Sequence, residues 1–302
     1  MPGIGRGPRG RGTERRLGNP HLTLTSGSVS CIFVCMIIAP SATMPTPHVV
    51  LLLDFLGFTN EVMSRDRARV AEMARLLLWL AETQSVFEVC GEGQIDGGYR
   101  IDTNANVTTF SDLVVMSYPC VVHESKGLTE EKIKLLRELW YDVALQHMQE
   151  FVAVTALQAL ELGLLLRGGI ALGDLVHHDR VVIGEALIKA HHLENCIAVT
   201  ARIVVADEFL VKIPERIRST RLSIDTDGLS HLNYFTVMGQ RIVRDRGQEA
   251  AQNWRETSLA RVADTERALS VEGKLQAAKK WGAFQTQLAQ ATMDLRNSTV
   301  KS

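Results

Sequence analysis

The sequence predicts an α/β sandwich, and three observations point to it. His48 to Leu53 (HVVLLL) and Leu164 to Leu172 (LLLRGGIAL) are apolar runs of strand length, short enough to be buried strands. Thr59 to Glu82, Thr129 to Leu162 and Gln248 to Arg296 carry apolar residues at spacings of three and four, the period of a helix with one buried face. The two patterns interleave along the chain without an internal repeat, so helices must cover one or both faces of a sheet.

The elements follow in order. The first strand ends in Asp54, and the Thr59–Glu82 helix places Val62, Val70, Met73, Leu77 and Leu80 on its buried side. A polar, glycine-bearing approach (DGGYRIDTNANVTTF) then leads to Leu113–Met116, which reads as a hairpin whose tight end lies at Ser111 and Asp112. After the 129–162 helix comes the second buried strand, which Gly173 is expected to close. A short ribbon at Val181 to Ile183, a helix from Gly184 to Val199, a strand from Arg202 to Val205 and a last pair around Leu222 to Phe235 complete the domain. The region 241–302 reads as a helical extension anchored by Leu259, Val262, Leu269, Leu275, Trp281, Phe284 and Leu288. It could brace a dimer or cover the sheet, and cover is the plainer use.

Composition bounds the function. Of 302 residues, 33 are Lys or Arg and 34 are Asp or Glu, a formal net charge of −1, which argues against a dedicated nucleic-acid binder. Cysteines 31, 35, 90, 120 and 196 form no CxxC pair, so neither a disulfide framework nor a structural zinc site is indicated. The pairs His177–His178 and His191–His192 are adjacent residues whose side chains diverge, which also argues against zinc. The expected compartment is the cytoplasm.

Residues 1–47 differ from the rest. Met1 to Pro20 is rich in Gly and Arg with no face to bury, and is expected to be disordered. Val29 to Ala39 (VSCIFVCMIIA) is apolar but too short for a bilayer, which needs about 20 residues. It could be a signal peptide, a segment packed on the domain, or part of a leader upstream of a natural start at Met44; the last is favoured because a strand pattern begins cleanly at His48.

Two carboxylates stand out. Asp54 ends a buried strand and is followed by Phe55, Leu56, Gly57, Phe58 and Thr59, a short loop entering a helix whose free amides suit a phosphate. Asp112, in the hairpin, can reach the same strand end. Two aspartates beside a phosphate-cradling loop are oxygen ligands for a hard divalent cation on a nucleoside triphosphate. Taken singly, Asp54 could be a helix cap and Asp112 a turn former.

A third segment, Leu165 to Glu194 (LLRGGIALGDLVHHDRVVIGEALIKAHHLE), adds to both. With it, the chain from about 48 to 235 resembles the class III nucleotidyl cyclases. Their "xxDxxGF" setting is matched by LLLDFLGF (51–58), their hairpin metal Asp by TTFSDLVV (108–115), and their "RxGIxxGxV" stretch and "ARLE" helix by Arg167–Val176 and Gly184–Glu194. The resemblance implies a ferredoxin-like palm with a mixed, mainly antiparallel sheet. It also implies two Mg²⁺ or Mn²⁺ ions on Asp54, Asp112 and the Phe55 carbonyl, and triphosphate on the amides of Leu56, Gly57, Phe58 and Thr59. A homodimer with sites at its interface follows from it too.

The departures narrow the family. Purine cyclases of this class read the base with a Lys and an Asp or Thr where this chain has Thr108 and Val181, and their transition-state Asn and Arg fall here on Ile188 and His192. Together with the FSD hairpin, LRGGIALGD, the GEAL…A…LE helix and SIDTDGLSHLNYF (223–235), this is similar to the pyrimidine cyclases of bacterial anti-phage signalling. That resemblance implies UTP or CTP as substrate and a separate effector protein that reads the cyclic product. Arg167 is expected to supply an added cation, although it could instead pair with an acid. His192 is expected to donate to phosphate, although it could be merely solvated or capping. The competing readings are a catalytically silent nucleotide-sensing or dimerisation module and a purine cyclase. No membrane or nucleic-acid partner is expected.

Overall fold

Strand β1 (Thr46–Leu56) organises the protein, because it is buried along nearly its whole length and is paired on both sides. The computed structural model describes residues 44–64, 66–82, 93–95, 99–101, 105–120 and 129–298. The expected disordered segment and the Val29–Ala39 run lie outside the described residues, as do Cys31, Cys35 and Cys90. β1 begins at Thr46, so two residues of the expected leader belong to the sheet.

The expected 59–82 helix is two helices, α1 (Phe58–Met63) and α2 (Arg67–Glu82). The break has a local cause: Ser64 Oγ donates back to the Glu61 carbonyl at 2.6 Å, and Asp66 Oδ1 accepts from the Ala68 amide at 2.9 Å, capping α2. Beyond a small ribbon, β2 (Gly93–Ile95) with β3 (Tyr99–Ile101), come β4 (Asn106–Phe110) and β5 (Leu113–Pro119). Their hairpin turns at Ser111–Asp112, as the sequence suggests, with Ser111 in the left-handed region at φ 57°.

Helix α3 (Glu130–Glu161) is capped by Thr129, whose hydroxyl accepts from the Lys132 amide. It leads into β6 (Leu165–His178), which lies antiparallel to β1. Gly173 does not close β6: the strand continues five residues further. The glycine serves a different purpose, since a Cβ there would stand 3.1 Å from the Ala186 amide nitrogen of the helix lying on β6. That helix, α4 (Glu185–His192), follows β7 (Val181–Gly184), an antiparallel partner of the β6 tip, and continues as a wide π turn over Leu193–Ile197.

β8 (Ile203–Val205) returns parallel to β6, and short helices α5 (Asp207–Leu210) and α6 (Glu215–Arg221) lead to β9 (Leu222–Ile224) and β10 (Ser230–Leu232). Among the described residues the main sheet has the order β4-β5-β1-β6-β8-β10-β9, with β7 on β6. It is therefore mixed and mainly antiparallel, and β4-β5-β1-β6 with its intervening helices has the βαββαβ order of a ferredoxin-like fold.

The last expected strand pair ends at Leu232, not Phe235. Asn233 accepts from Thr236 through its side chain and starts helix α7 (Tyr234–Val271), which therefore begins 14 residues before the expected Gln248. A break at Gly247 (φ 83°, ψ 170°) interrupts it, and helix α8 (Leu275–Ser298) folds back along it. Val262, Trp281, Phe284 and Leu288 are buried in the common core, Leu259 and Leu269 pack on it, and Leu275 is exposed. Residue 241, the expected start of the extension, lies inside α7. Among the described residues no helix is long and apolar enough to cross a membrane.

Candidate active site

Register brings the two aspartates together. Asp54 lies opposite Leu113, the residue after Asp112, and the Phe55 amide donates to the Asp112 carbonyl at 3.2 Å. The β4–β5 turn thus closes against the end of β1, where Asp54 is almost buried.

On its other side Asp54 faces Arg167 of β6. Arg167 Nε donates to Asp54 Oδ2 at 2.7 Å, and its Nη2 stands 2.6 Å from Glu194 Oε1. The expected free cation is therefore engaged by two acids, the pairing that its place at a strand end also allowed. The Asp54 and Glu194 carboxyls are themselves within hydrogen-bonding reach. Burial above all pushes the Glu194 carboxyl up; Arg167 draws it down, and Asp54 adds to the rise.

Glu194 carries no role in the sequence reading, yet a signal for it existed. Ala186, Ala190 and Glu194 recur at spacings of four, and the two alanines are fully buried. A carboxylate on the buried stripe of a helix needs a partner, and Gly169 beneath that helix lets it lie close on β6. A Cβ on Gly169 would lie against the Ala190 carbonyl oxygen and 2.6 Å from Leu193 Cβ.

Ile188 and His192 occupy the opposite stripe and are exposed, Ile188 by 72%. The histidine whose charge reaches Glu194 is His191. Within one chain, then, His192 points away from the carboxylates.

The two positions expected to select the base lie near one another. Thr108 is 7% exposed, and its hydroxyl is committed inside the protein, to His177 Nε2 at 2.8 Å and the Asp179 carbonyl at 3.1 Å. Asp179 belongs to the turn that enters β7, whose first residue, Val181, is exposed. His177 also bonds Ser117 Oγ at 2.8 Å. Its pKa is lowered to about 4, by burial first and then by His48.

Gly57, at φ 98°, turns the chain from β1 into α1 with no side-chain cap, which leaves the first-turn amides of Phe58 and Thr59 without helical acceptors. Lys280 of α8 feels the charges of the cluster. Burial and then Arg167 hold its ammonium below the ordinary lysine value, while Asp54 and Glu194 act in the opposite sense.

Asp54, Asp112 and the main-chain carbonyl at Phe55, brought to neighbouring backbone positions at the end of β1, offer hard oxygens, the ligand type that Mg²⁺ and Mn²⁺ take. Among the described residues no three His, Cys, Asp or Glu side chains are grouped so as to hold a metal ion. A separate cavity of about 670 Å³, lined by Pro47, Cys120, Arg137, Trp140 and Lys212, lies elsewhere. Pro47 is seven residues along β1 from Asp54, about 23 Å in an extended strand.

No protein-family model matches the chain, and no curated protein is a significant match in sequence. Among solved structures it is similar to the adenylyl cyclase CyaB from P. aeruginosa, with 14% identity, a TM-score of 0.34, 62% of this chain covered and 94% of that one. It is similar to a bacterial light-regulated adenylyl cyclase, with 14% identity, a TM-score of 0.32, and 63% and 52% covered. It is also similar to a class III adenylyl cyclase-like ATP-binding protein from Pseudomonas aeruginosa, with 16% identity, a TM-score of 0.36, and 63% and 39% covered. The chain thus spans about half or less of the length of the latter two.

Proposed function

We propose that this protein is a nucleotidyl cyclase that converts UTP or CTP to the 3′,5′-cyclic nucleotide and pyrophosphate, a second messenger for bacterial anti-phage defence. The observation that carries the reading is the convergence of Asp54 and Asp112 at the end of β1. The family motifs that single out these two residues in the sequence support it.

In the reaction the ribose 3′-oxygen attacks the α-phosphorus in line. The new P–O3′ bond forms as the bond to the β-phosphate oxygen breaks; the hydroxyl proton passes to solvent, and pyrophosphate leaves. Divalent cations, when bound, lower the hydroxyl pKa and neutralise the leaving triphosphate oxygens. Asp54, Asp112 and the Phe55 carbonyl would hold them. The amides of Leu56 to Thr59 would orient the β- and γ-phosphates, and Arg167 would keep Asp54 and Glu194 in place beside them.

The exposed stripe of Ile188 and His192, with exposed Val181 and Ile183 on β7, is where a second copy would complete the pocket. From there His192 could donate to the partner's substrate. Val181 has no polar group, and the Thr108 hydroxyl is already bonded, so neither position offers the charged donor and acceptor with which purine cyclases of this class read their base. The preference for a pyrimidine rests on that departure together with the motif resemblance.

The test is to incubate the protein with equal ATP, GTP, CTP and UTP and Mn²⁺, and to separate the products. A cyclic pyrimidine nucleotide is expected; mainly cyclic AMP or cyclic GMP overturns the base assignment. A silent nucleotide-sensing module is the second reading, favoured by the closed Asp54–Arg167–Glu194 pairing. It predicts nucleotide binding without any product.

A further inference from the structure

We propose that the cavity of about 670 Å³ at the end of β1 remote from Asp54 is a second ligand site, suited to a nucleoside carrying a single phosphate, open or cyclised. The inference goes beyond the reaction proposed above and rests on that reading only for the choice of a nucleoside as the ligand's body.

The cavity is built on the same strand pair as the Asp54 site, at its other end. Pro47 of β1 lies opposite Asp174 of β6, and both line it, together with Leu172 and Gly173. The first turns of α3 add Lys134, Arg137, Trp140 and Tyr141, and the chain after α5 adds Val211 and Lys212. Cys120, which follows β5, is anchored there by its amide, a donor to the Pro47 carbonyl at 2.6 Å. Burial pushes its thiol up, while the Val49 backbone, Lys212 and Arg137 draw it down, so cations from two elements reach one point of the lining. None of Asp54, Asp112, Arg167 or Glu194 lines the cavity. Its volume lies within the range of small-molecule pockets, about 300–1,000 Å³.

The charges of the lining say what it would take. Lys189 stands 3.0 Å from both Glu185 and Glu208, and Glu138 stands 3.9 Å from Arg216, which lies outside the cavity. The side chains of Lys134, Arg137 and Lys212 have no hydrogen bond or ion pair within the described residues, and neither has that of Asp174. Against the three free cations stand Asp174 and the one acid by which Glu185 and Glu208 exceed Lys189, so one net positive charge remains. That balance attracts a ligand with the charge of a single phosphate and opposes the larger charge of a triphosphate. A phosphate fits between Arg137 and Lys212, which can both donate to it. The flat body of a base suits the apolar surface of Pro47, Leu172 and Val211, and the Asp174 carboxylate is an acceptor for nucleoside N–H or hydroxyl groups.

The test is calorimetry on the full chain in EDTA, with cyclic UMP, cyclic CMP, UMP, uridine and inorganic phosphate as probes. At least one of the three mononucleotides should bind, about tenfold or more tightly than uridine or inorganic phosphate. Arg137→Ala and Lys212→Ala, which remove exposed side chains, should each weaken it about 10- to 100-fold, and Asp54→Asn should leave it within about threefold. Tighter binding of a cyclic form supports the site as one for the reaction's product, and tighter binding of UMP supports it as one for a free monophosphate. Absence of binding by all three overturns the inference. Binding that survives both alanine variants, or that is lost in Asp54→Asn, overturns it by placing the ligand elsewhere. Uridine binding as tightly would show that no charge is read, and inorganic phosphate binding as tightly would mean an adventitious ion only; either overturns it. Cyclisation of UTP or CTP without mononucleotide binding ends this inference and leaves the cyclase reading standing, whereas binding by a chain that forms no cyclic product does the reverse.

Discussion

Asp54 and Arg167 sit directly opposite one another on neighbouring antiparallel strands and are joined at 2.7 Å, at a place where both side chains are largely shielded from water. Arg167 is thus as much a part of the fold as of the site. Arg167→Ala would leave Asp54 and Glu194 buried together with no adjacent guanidinium. Loss of about 3–5 kcal/mol is expected, read from urea unfolding at neutral pH. A loss below about 1 kcal/mol would mean that water, not the arginine, solvates the two acids.

The aspartates should behave differently from the arginine. Asp112→Asn, on a half-exposed turn, is expected to keep the urea midpoint nearly unchanged while abolishing turnover. Asp54→Asn should also abolish turnover and retain the fold, since an amide can still accept from Arg167. Product formation by either variant, at more than about 1% of the wild-type rate, would remove the metal assignment from that residue.

His177 gives the protein a pH dependence whose sign is fixed by its environment. Its folded pKa of about 4 lies below the ordinary 6.5, so between these values the unfolded chain binds a proton that the folded protein refuses. Stability should be fully present above pH 6.5 and fall as the pH is lowered towards 4, by roughly 1.4 kcal/mol per unit and roughly 3 kcal/mol across the window. His177→Asn should flatten this slope in urea melts between pH 4.5 and 7.5. An equally steep slope in the variant would assign the effect to the other buried histidines.

Gly169, like its neighbour Gly168, has no room for a side chain, and of the two it is the one beneath the helix that carries Glu194. Gly169→Ala would drive a methyl into the Ala190 carbonyl and Leu193, lifting the turn that carries Glu194. Destabilisation of about 1–3 kcal/mol is expected, with a larger fall in activity than the stability loss alone explains. Normal kinetics in a stable variant would show that α4 can shift without cost to the site.

Much of the fold is legible in the sequence because it depends on local period. The HVVLLL run, the 3.6 period of 129–162 and the Ser111–Asp112 turn appear where their residues put them. The misplaced boundaries share a cause. Gly173 resembles a strand terminator, but what it does is set by Ala186 across the sheet. Tyr234 and Phe235 resemble strand residues, but Asn233 caps a helix at that point. The site divides in the same way. Asp54 and Asp112 are legible from motif and turn, while the engagement of Arg167 by Asp54 and Glu194 arises from contacts that no window of sequence contains.

The order of these contacts along the chain also sets an order in time. In the order of synthesis β1, β6 and Glu194 all precede α5, and Lys280 follows Glu194 by 86 positions. At about 5–20 residues per second, the acidic cluster and its arginine can assemble roughly 4 to 17 s before the C-terminal helix exists to lie beside them. During that interval the face of Phe235 that Phe284 covers in the finished protein has no partner from α8. A chain stalled or cut between Val271 and Leu275 would keep that state, with the aromatic surface at Tyr234 and Phe235 uncovered for a chaperone to hold.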